Sequence, residues 1–353
     1  MPSPYPWHYT IRWPIYYHWP STKRHIALKK EPLKILPSNL SMEKQAIKIV
    51  FCGDIMVMQG DVIPKLHPEV CEFIADANAL IGNCEAPLGR HKPNPDTHYG
   101  IKFYMSRDYL ENIIQQTGLD PAKWYLSITN NHTGDMGIQP ALDTDVIMRE
   151  LKINPLGRWQ KDKLPLTIFN IGNVNFGVIA WTDWMNCDIF SKDDPIALRR
   201  AHFENIDWET IKKELNIHCL IALPHWEYEF QHFPHQSSQN FAKNLFENKA
   251  VDILVGIHTH TLQPLERFGQ GFCFYNIGNF CGLGKAWPVR MAPLLKMHID
   301  PDTGKAIGYE LKIFAQVNGD KKVDILPLEL ISKKLRDKIT KRIDLLFNTA
   351  GTS

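Results

Sequence analysis

The sequence predicts an α/β protein in which mixed β-sheets are flanked by helices. Three observations lead to this fold class. Short apolar segments that end in polar residues recur along the chain, helical patterns lie between several of them, and two further segments have the form of β-hairpins. Alternating strands and helices favour parallel pairing, whereas hairpins add antiparallel strands. The sheets are therefore expected to be mixed.

Six apolar segments between residues 47 and 280 are predicted to be buried strands. Each is a short apolar run that passes into polar residues at its carboxyl end, as expected where a buried strand enters a loop. They are IKIVFCGDI (47–55), NALIGNCE (78–85), WYLSITNNH (124–132), HCLIALPHWE (218–227), VDILVGIHTH (251–260) and GFCFYNIGNF (271–280). Their polar ends are candidates for a common site.

Helices and hairpins complete the pattern. Helical spacing of apolar residues is found around 107–117, 139–151 and 236–249. The segment 166–181 predicts a hairpin that turns at Gly172–Asn173, and 294–314 predicts a second one that turns at DPDTGK. No internal repeat is apparent.

The first 46 residues differ in composition from the rest. Pro4, Pro6, Pro14 and Pro20 alternate with Trp7, Tyr9, Trp13, Tyr16, Tyr17 and Trp19. Proline at this density argues against a helix or a central strand, whereas disordered tails are usually poor in aromatic residues. We therefore predict an extended arm at 1–46 that packs on the body or on a partner. A misassigned start codon is the alternative.

The carboxyl-terminal segment 321–353 is predicted to be an amphipathic helix, which leaves 47–320 as the main domain. Ile331, Leu335, Ile339, Ile343 and Leu346 recur at helical spacing, with lysines and arginines between them. The basic face of this helix is expected to be solvated.

The overall composition is that of an ordinary globular protein. Hydrophobic residues make up 44% and charged residues 22% of the 353, and the net charge of +2 gives no support for a nucleic-acid or membrane surface. The seven cysteines form no CxxC pair and predict buried free thiols. No apolar stretch reaches 18 residues, and the amino terminus lacks the features of a signal peptide. The predicted location is the cytoplasm.

Ligand-type residues collect at five of the predicted strand ends. They are Asp54, Asn83, Glu85, Asn131, His132, His225, His258 and His260. In open α/β sheets, sites form outside the carboxyl ends of the strands. Carboxylate, amide and imidazole donors suit divalent ions such as Mn, Fe, Zn or Mg. The sequence thus predicts a metal site at this edge.

Each motif alone also has a simpler interpretation. A lone histidine such as His225 is usually a surface or hydrogen-bonded residue, and Asp54 could be a turn or helix-capping aspartate. The NNH segment could be a left-handed turn followed by a cap. The pair His258 and His260 is a stronger signal, because alternate residues on an extended segment face the same side.

Six motifs in order resemble those of a known family. They are GDIM, NCEAPL, TNNHTGDMG, HWEYE, GIHTHTLQPLE and YNIGNF, and the resemblance that rests on them covers residues 47 to 285. Their order is similar to that of the CapA family of poly-gamma-glutamate (capsule) biosynthesis proteins, a branch of the calcineurin-like metallophosphoesterases. The resemblance implies a four-layer αββα sandwich of two mixed sheets flanked by helices, with a dinuclear metal site at the strand ends.

The resemblance also implies roles for individual residues. The expected metal ligands are Asp54, Glu85, Asn131, His225, His258 and His260, with Glu85 as the bridging carboxylate. His132 matches the histidine that assists the leaving group. Thr133 stands where the acidic partner of that histidine is expected, so Asp135 is predicted to hold its tautomer. Residues predicted to line the substrate pocket are Asn83, Glu229, Tyr275, Asn276 and Asn279.

Two departures from the family pattern affect the predicted site. Calcineurin-like enzymes usually carry Asp-x-His in the first motif, but here Met56 stands at the histidine position, as is typical of the CapA branch. One ion is therefore expected to have a thinner ligand shell. Glu227 replaces a favoured glycine, which would crowd the pocket or add a carboxylate.

The implied function is a metal-dependent hydrolase of the CapA type that binds two divalent ions and acts on a phosphoester-like substrate, small or polymeric. The first alternative is a non-catalytic or synthetic-pathway component of capsule biosynthesis that binds an anionic polymer. A structural interaction module built around the aromatic arm is the second alternative.

We expect His258 to join Glu85, Asn131 and His225 at one ion. His260 should join Asp54 and Glu85 at the other, with Thr259 pointing away into packing.

Overall fold

Two mixed β-sheets facing each other dominate the fold in the computed structural model, which describes residues 5–21, 26–37, 45–58, 61–90, 102–160, 163–186 and 197–349. The strands are β1 (Lys34–Ile35), β2 (Ile47–Ile55), β3 (Lys65–Leu66), β4 (Ala79–Cys84), β5 (Leu88–Gly89), β6 (Met105–Ser106), β7 (Trp124–Ser127), β8 (Asn154–Leu156), β9 (Thr167–Ile171), β10 (Val174–Thr182), β11 (Cys219–His225), β12 (Ile253–Val255), β13 (Leu265–Phe268), β14 (Gly271–Phe274), β15 (Asn279–Cys281), β16 (Met291–Ile299), β17 (Ala306–Gly319) and β18 (Lys322–Pro327).

The helices flank these sheets. They are α1 (Trp7–His18), α2 (Pro68–Ala75), α3 (Arg107–Thr117), α4 (Ile138–Glu150), α5 (Arg200–Glu204), α6 (Trp208–Glu214), α7 (Gln236–Glu247) and α8 (Lys333–Leu346). The predicted helices around 107–117, 139–151 and 236–249 correspond to α3, α4 and α7. None of the helices in the described ranges has both the length and the apolar character that crossing a bilayer requires.

The larger sheet has the strand order β3-β18-β17-β16-β2-β4-β7-β8, with β1 paired to β17 and β15 to β2. The smaller sheet has the order β13-β14-β12-β11-β10-β9. Strands β2, β4, β7 and β8 are parallel to one another, as are β10, β11, β12 and β14. The predicted hairpins are the antiparallel pairs β9–β10 and β16–β17.

Three apolar cores confirm the four-layer arrangement. The inner core lies between the sheets, where Phe51 of β2 and Phe176 of β10 belong to one buried cluster. A second cluster joins the outer face of the larger sheet to α2, α3 and α4, for example through Tyr109. A third joins the outer face of the smaller sheet to α5, α6 and α7, with Trp181 and Phe203 at its centre.

The predicted extended arm is wrong for residues 7–18, which form helix α1 despite Pro14 in its interior. An interior proline removes one helical hydrogen bond and therefore disfavours a helix here. The helix forms because its contacts with the rest of the protein outweigh this local preference. Tyr9 packs on Tyr228 with ring centroids 4.6 Å apart, and Trp13 lies 4.8 Å from Phe230. The predicted packing of this segment on the body is confirmed for its described residues. Pro4 lies outside the described residues.

The carboxyl-terminal helix is α8, and its apolar residues enter the inner core. It begins at Lys333, because residues 322–327 form strand β18 of the larger sheet. The expectation of a fully solvated basic face is wrong at Arg342, which is 4% exposed and donates hydrogen bonds to the carbonyl oxygens of His232 and Leu262. This arginine ties α8 to two loops of the main domain.

Three predicted strands differ in extent from the structure, and the first of these, 124–132, is a strand only at Trp124–Ser127. The segment 251–260 is a strand only at Ile253–Val255, and 271–280 divides into β14 and β15, which lie in different sheets. The division coincides with Gly278, whose φ of +69° favours glycine and breaks the extended path. Six cysteines in the described residues are free thiols, five of them buried, as predicted. Cys187 lies outside the described residues.

Candidate metal centre

The carboxyl ends of parallel strands from both sheets bring five of the six predicted ligands together. They are Asp54, Glu85, His225, His258 and His260, and none is more than 4% exposed. Asp54 is near the end of β2, Glu85 directly follows β4, and His225 is the last residue of β11, whereas His258 and His260 lie in the loop that follows β12. Asn131, the sixth predicted ligand, is buried in the loop that follows β7 and contacts Asn186. The predicted convergence is therefore found for the carboxylates and the three histidines.

Glu85, His225 and His258 form the first group of closely spaced ligand atoms. The Nε2 atom of His225 lies 3.3 Å from Oε1 of Glu85. The rings of His225 and His258 have centroids 4.3 Å apart. One carboxylate and two imidazoles around one point suit a borderline divalent ion.

Asp54, Glu85 and His260 form the second group. Nδ1 of His260 lies 3.2 Å from Oδ2 of Asp54, and Nε2 of the same ring lies 3.7 Å from Oε1 of Glu85. Glu85 therefore belongs to both groups. The partition of the two histidines between the groups is the one expected from the sequence.

Buried polar atoms without partners test whether the residues fit a metal. Within the described part of the chain, Oε2 of Glu85, Oδ1 of Asn131 and Nδ1 of both His225 and His258 are buried and have no hydrogen-bond partner. A buried polar atom left unpaired costs roughly 1–3 kcal/mol. The atoms of Glu85, Asn131 and His258 are accounted for if they face cations, whereas the His225 nitrogen beside Glu85 is Nε2. The donor set thus fits divalent metal ions.

The electrostatics of the cluster also favour a cation. Burial, together with the charges of Asp54 and Glu229, raises the pKa of Glu85 well above its usual value. Burial and the neighbouring histidines lower the pKa of His225 well below its usual value. Burial lowers the pKa of His260 as well, but the hydrogen bond and charge of Asp54 outweigh it and the net shift is upward. A cation would favour the ionised carboxylate and the neutral imidazoles.

The backbone around the HxH pair is not extended, contrary to the prediction. His258 has a φ of 99° and His260 a φ of 57°, both unusual for residues other than glycine. The turn is held by the amide of His258, which donates to Oδ2 of Asp54 at 3.2 Å. Thr259 is fully buried and its hydroxyl donates to the carbonyl oxygen of Thr261. The two rings therefore reach separate groups through a turn rather than through strand alternation.

Asparagine side chains form hydrogen bonds with the candidate ligands. Nδ2 of Asn83 donates to Oδ1 of Asp54 at 2.8 Å, and Oδ1 of Asn279 lies 2.9 Å from Nδ1 of His260. Asn130 donates to Oδ1 of Asn83. Such contacts fix the orientation of ligating groups. Asn83 and Asn279, predicted as pocket residues, are thus in contact with candidate ligands.

His132 and Asp135 form a buried pair beside the cluster. Nδ1 of His132 lies 2.6 Å from Oδ2 of Asp135, as expected if the carboxylate holds the tautomer. The amide of Phe103 donates to the same oxygen at 2.6 Å. The ring of Phe103 stacks on the imidazole with centroids 3.9 Å apart. These contacts therefore fix both the ring plane and the tautomer of His132.

The remaining pocket predictions have different outcomes. Glu229 lies close enough to influence Glu85 and His260, as its contribution to their pKa shifts indicates, and its carboxylate accepts from Nε1 of Trp13. Tyr275 is not brought to the site, because its ring belongs to the core outside the smaller sheet and its hydroxyl donates to Glu266. Asn276 accepts from the amide of Gly278 and stabilises the turn there.

The two departures from the family pattern have clear structural positions. Met56 is 6% exposed and packs in the core outside the larger sheet, so it adds no nitrogen or oxygen donor. Glu227 is also buried, but its carboxylate accepts from the amide of His235 and from Nε2 of Gln263. It therefore holds the 227–235 loop instead of adding a carboxylate to the site.

Three residues at the site were not identified from the sequence. Asn130 connects Asn83 to the NNH loop, and Oδ1 of Asn186 lies 3.4 Å from Nδ2 of Asn131. The hydroxyl of Tyr5 lies 2.9 Å from Nε2 of His258. The first asparagine of NNH was a visible signal for Asn130. No local pattern connects Tyr5 with a histidine 253 positions away.

A family model described as "Bacterial capsule synthesis protein PGA_cap" matches residues 48–282 of the chain. The chain belongs to this family. Among its relatives, the capsule biosynthesis protein CapA of Bacillus anthracis is 28% identical over 285 residues, which cover 75% of this chain and 66% of that protein. The PGA biosynthesis protein CapA of Bacillus subtilis (strain 168) is 24% identical over 299 residues, 81% of this chain and 76% of that protein.

A solved structure shows the same fold. A putative 5′-nucleotidase from Staphylococcus aureus matches with a TM-score of 0.50 and 15% identity, covering 84% of this PGA_cap chain and 58% of that chain. A calcineurin-like phosphoesterase from Bacillus subtilis matches with a TM-score of 0.42 and 15% identity, covering 85% and 98%. The match to the 5′-nucleotidase, together with the two facing sheets and their flanking helices, confirms the fold predicted from the resemblance. The chain spans about two thirds of the length of the Bacillus anthracis relative.

Proposed function

We propose that this PGA_cap chain is a metal-dependent hydrolase that binds two divalent ions and acts on an anionic, phosphoester-like substrate. The observation that carries the proposal is the position of Glu85, which belongs to both groups of buried ligand atoms. Two ions about 3.5–4 Å apart need a shared carboxylate to offset their charges. The oxygen and nitrogen donors suit Mn, Fe, Zn or Mg.

The bound ions and the side chains would have different roles in the reaction. Two bound divalent ions would lower the pKa of a water molecule and offset the charge that develops on the substrate. His132 is the residue that would protonate the leaving oxygen, because Asp135 engages Nδ1 and leaves Nε2 on the opposite side of the ring. Phe103, stacked on this ring, limits its contact with water and keeps its plane fixed.

The direct test is hydrolysis of bis(p-nitrophenyl) phosphate in excess Mn²⁺. Asn131→Ala and His260→Ala remove one candidate ligand each and should lower the rate by about 100-fold or more, since even outer partners of ligands are worth about 10–100-fold. Asn112→Ala is the matched control, because Asn112 is an exposed residue of α3 and should leave the rate unchanged. Absence of turnover across a broad phosphoester panel, with two metals bound, would contradict a hydrolase.

A second candidate is a non-catalytic component of capsule synthesis that binds an anionic polymer. It is supported by the family description and by the names of the two relatives, which refer to capsule and PGA biosynthesis. Met56, which supplies no nitrogen or oxygen side-chain donor, also favours a weaker metal site. Metal stoichiometry separates the candidates, because one ion or none per chain, together with retention on immobilised poly-glutamate, would favour the binding protein.

A further inference from the structure

The amino-terminal arm places a tyrosine inside the candidate metal centre. Tyr5 is 9% exposed, and its hydroxyl lies 2.9 Å from Nε2 of His258. Its ring meets those of Trp184 and Tyr228 edge-on, with centroids 5.5 and 5.2 Å away. The phenol is therefore held by packing at the point where it contacts a candidate ligand.

The two ring nitrogens of His258 have different surroundings. Nε2 faces the Tyr5 hydroxyl, whereas Nδ1 is buried and has no hydrogen-bond partner among the described residues. A neutral imidazole has one protonated nitrogen and one lone pair. A histidine that binds a metal usually donates its other N–H to an oxygen, which fixes the tautomer and the ring orientation. His258 has this arrangement if Nδ1 faces the ion.

We propose that Tyr5 is a positioning residue for the metal centre. Its phenolic oxygen accepts the Nε2–H of His258, so that the Nδ1 lone pair is directed at the ion that Glu85 and His225 also bind. This inference rests on the proposed two-metal site, and it assigns part of that site to a segment outside the family-matched residues 48–282.

Separate contacts hold the arm that carries Tyr5. Nε1 of Trp13 donates to the carboxylate of Glu229 at 2.9 Å. The hydroxyl of Tyr17 accepts from the amides of Lys285 and Ala286. These contacts explain how a tyrosine at position 5 keeps a fixed place beside His258.

Each histidine of the HxH pair has an oxygen atom as a partner, and the two partners come from different parts of the chain. His260 is held by Asn279, which is within the family-matched residues. His258 is held by Tyr5, which is not. Loss of Tyr5 should therefore affect one ion and spare the other.

Tyr5→Phe removes the hydroxyl and keeps the ring, and Tyr9→Phe is the matched control. Tyr9 is also a buried phenol of the arm, but its hydroxyl contacts the backbone of Glu229 and not a candidate ligand. Zn²⁺ affinity is measured for both ions by competition with a chelator, without any turnover. Tyr5→Phe should lower the affinity for one ion by about 10–100-fold and leave the affinity for the other unchanged. Tyr9→Phe should leave both within about twofold of the wild type.

A double-mutant cycle guards against an indirect effect. In a His258→Ala background, Tyr5→Phe should cause no further loss in the affinity of the ion that Glu85 and His225 bind. The ¹⁵N spectrum of the zinc-loaded wild type should show His258 protonated at Nε2. Equal affinities in the wild type and Tyr5→Phe, or equal losses at both ions, would overturn this inference alone. A wild-type chain that binds no zinc would overturn the metal site and this inference together.

Discussion

Asp54 on β2 and Asn279 on β15 are partners in a parallel strand pair, and both side chains reach Nδ1 of His260. The distances are 3.2 Å from Oδ2 of Asp54 and 2.9 Å from Oδ1 of Asn279. The pair is reinforced by the amide of Asp54, which donates to the carbonyl oxygen of Gly278 at 3.1 Å. The position of His260 in the site therefore depends on how closely the backbones of β2 and the 278–279 segment approach.

Gly53→Ala should disrupt this approach. A Cβ at position 53 would lie 1.8 Å from the carbonyl oxygen of Gly278, a contact that only backbone movement can relieve. We expect a loss of at least about 1–3 kcal/mol in the free energy of unfolding, together with weaker metal binding, measured by urea unfolding and metal titration. Gly319→Ala is the control, because its Cβ would meet its nearest neighbour at 3.7 Å. Equal stability of the two variants would show that the close approach is not required.

Asp135→Asn should slow hydrolysis in a way that depends on the leaving group. The substitution removes the carboxylate that faces Nδ1 of His132 and should lower the rate for a phosphoester with a poor alkoxide leaving group by about 100-fold. A p-nitrophenyl ester, whose leaving group needs little protonation, should be affected much less. The comparison of kcat for the two ester types is the measurement.

The same comparison for His132→Ala provides the check on that interpretation. Both variants should show the same dependence on the leaving group, because His132→Ala removes the proton donor and Asp135→Asn removes the carboxylate that holds its tautomer. If Asp135→Asn slows the two ester types equally, the pair acts on metal binding or folding and not on the leaving oxygen.

His232 should make stability fall in acid. Burial and the nearby Arg342 lower its pKa to about 3, whereas an unfolded histidine titrates near 6.5. Between these pH values the unfolded chain binds a proton that the folded chain does not, so the free energy of unfolding falls as pH decreases, by about 1.4 kcal/mol per pH unit from this group. His232→Gln keeps a donor for the carbonyl oxygen of Tyr16 and should remove this part of the slope.

His8→Gln is the control for that experiment, because His8 is exposed on α1. Urea unfolding at several pH values between 4 and 6 gives the slopes. An unchanged slope in His232→Gln would mean that this histidine is protonated in the folded protein.

Asn130→Ala should destabilise the ligand loops. Nδ2 of Asn130 donates to the carbonyl oxygen of Cys84 and to Oδ1 of Asn83, and its Oδ1 accepts from the amide of His132. Removing these contacts leaves buried groups unpaired at about 1–3 kcal/mol each, so we expect a loss of about 2–4 kcal/mol in urea unfolding. Asn112→Ala, at an exposed position of α3, should change stability by less than about 0.5 kcal/mol.

The sequence predicts what depends on short-range pattern. Apolar runs identify the strands, and because parallel strands end at one edge, the polar residues that follow them converge without any further information. The resemblance to a known family adds the sharing of Glu85 and the division of His258 and His260 between two groups. Only the convergence follows from strand order and residue type.

Other features depend on contacts between distant segments. Helix α1 forms although Pro14 disfavours it, because its aromatic residues pack on Tyr228 and Phe230 more than 200 positions away. Tyr5 reaches His258 for the same reason. The turn at His258 and His260 is held by Asp54 from the other sheet. Local periodicity contains no signal for any of these contacts.

The central claim is that two ions share Glu85. Crystals soaked in Mn²⁺ and measured at the manganese absorption edge test this most directly, because anomalous peaks locate each ion independently of turnover. Two peaks are expected, one bounded by Glu85, His225 and His258 and the other by Asp54, Glu85 and His260, with Glu85 contacting both. No peak in this cluster, or a single peak that does not contact Glu85, would contradict the account.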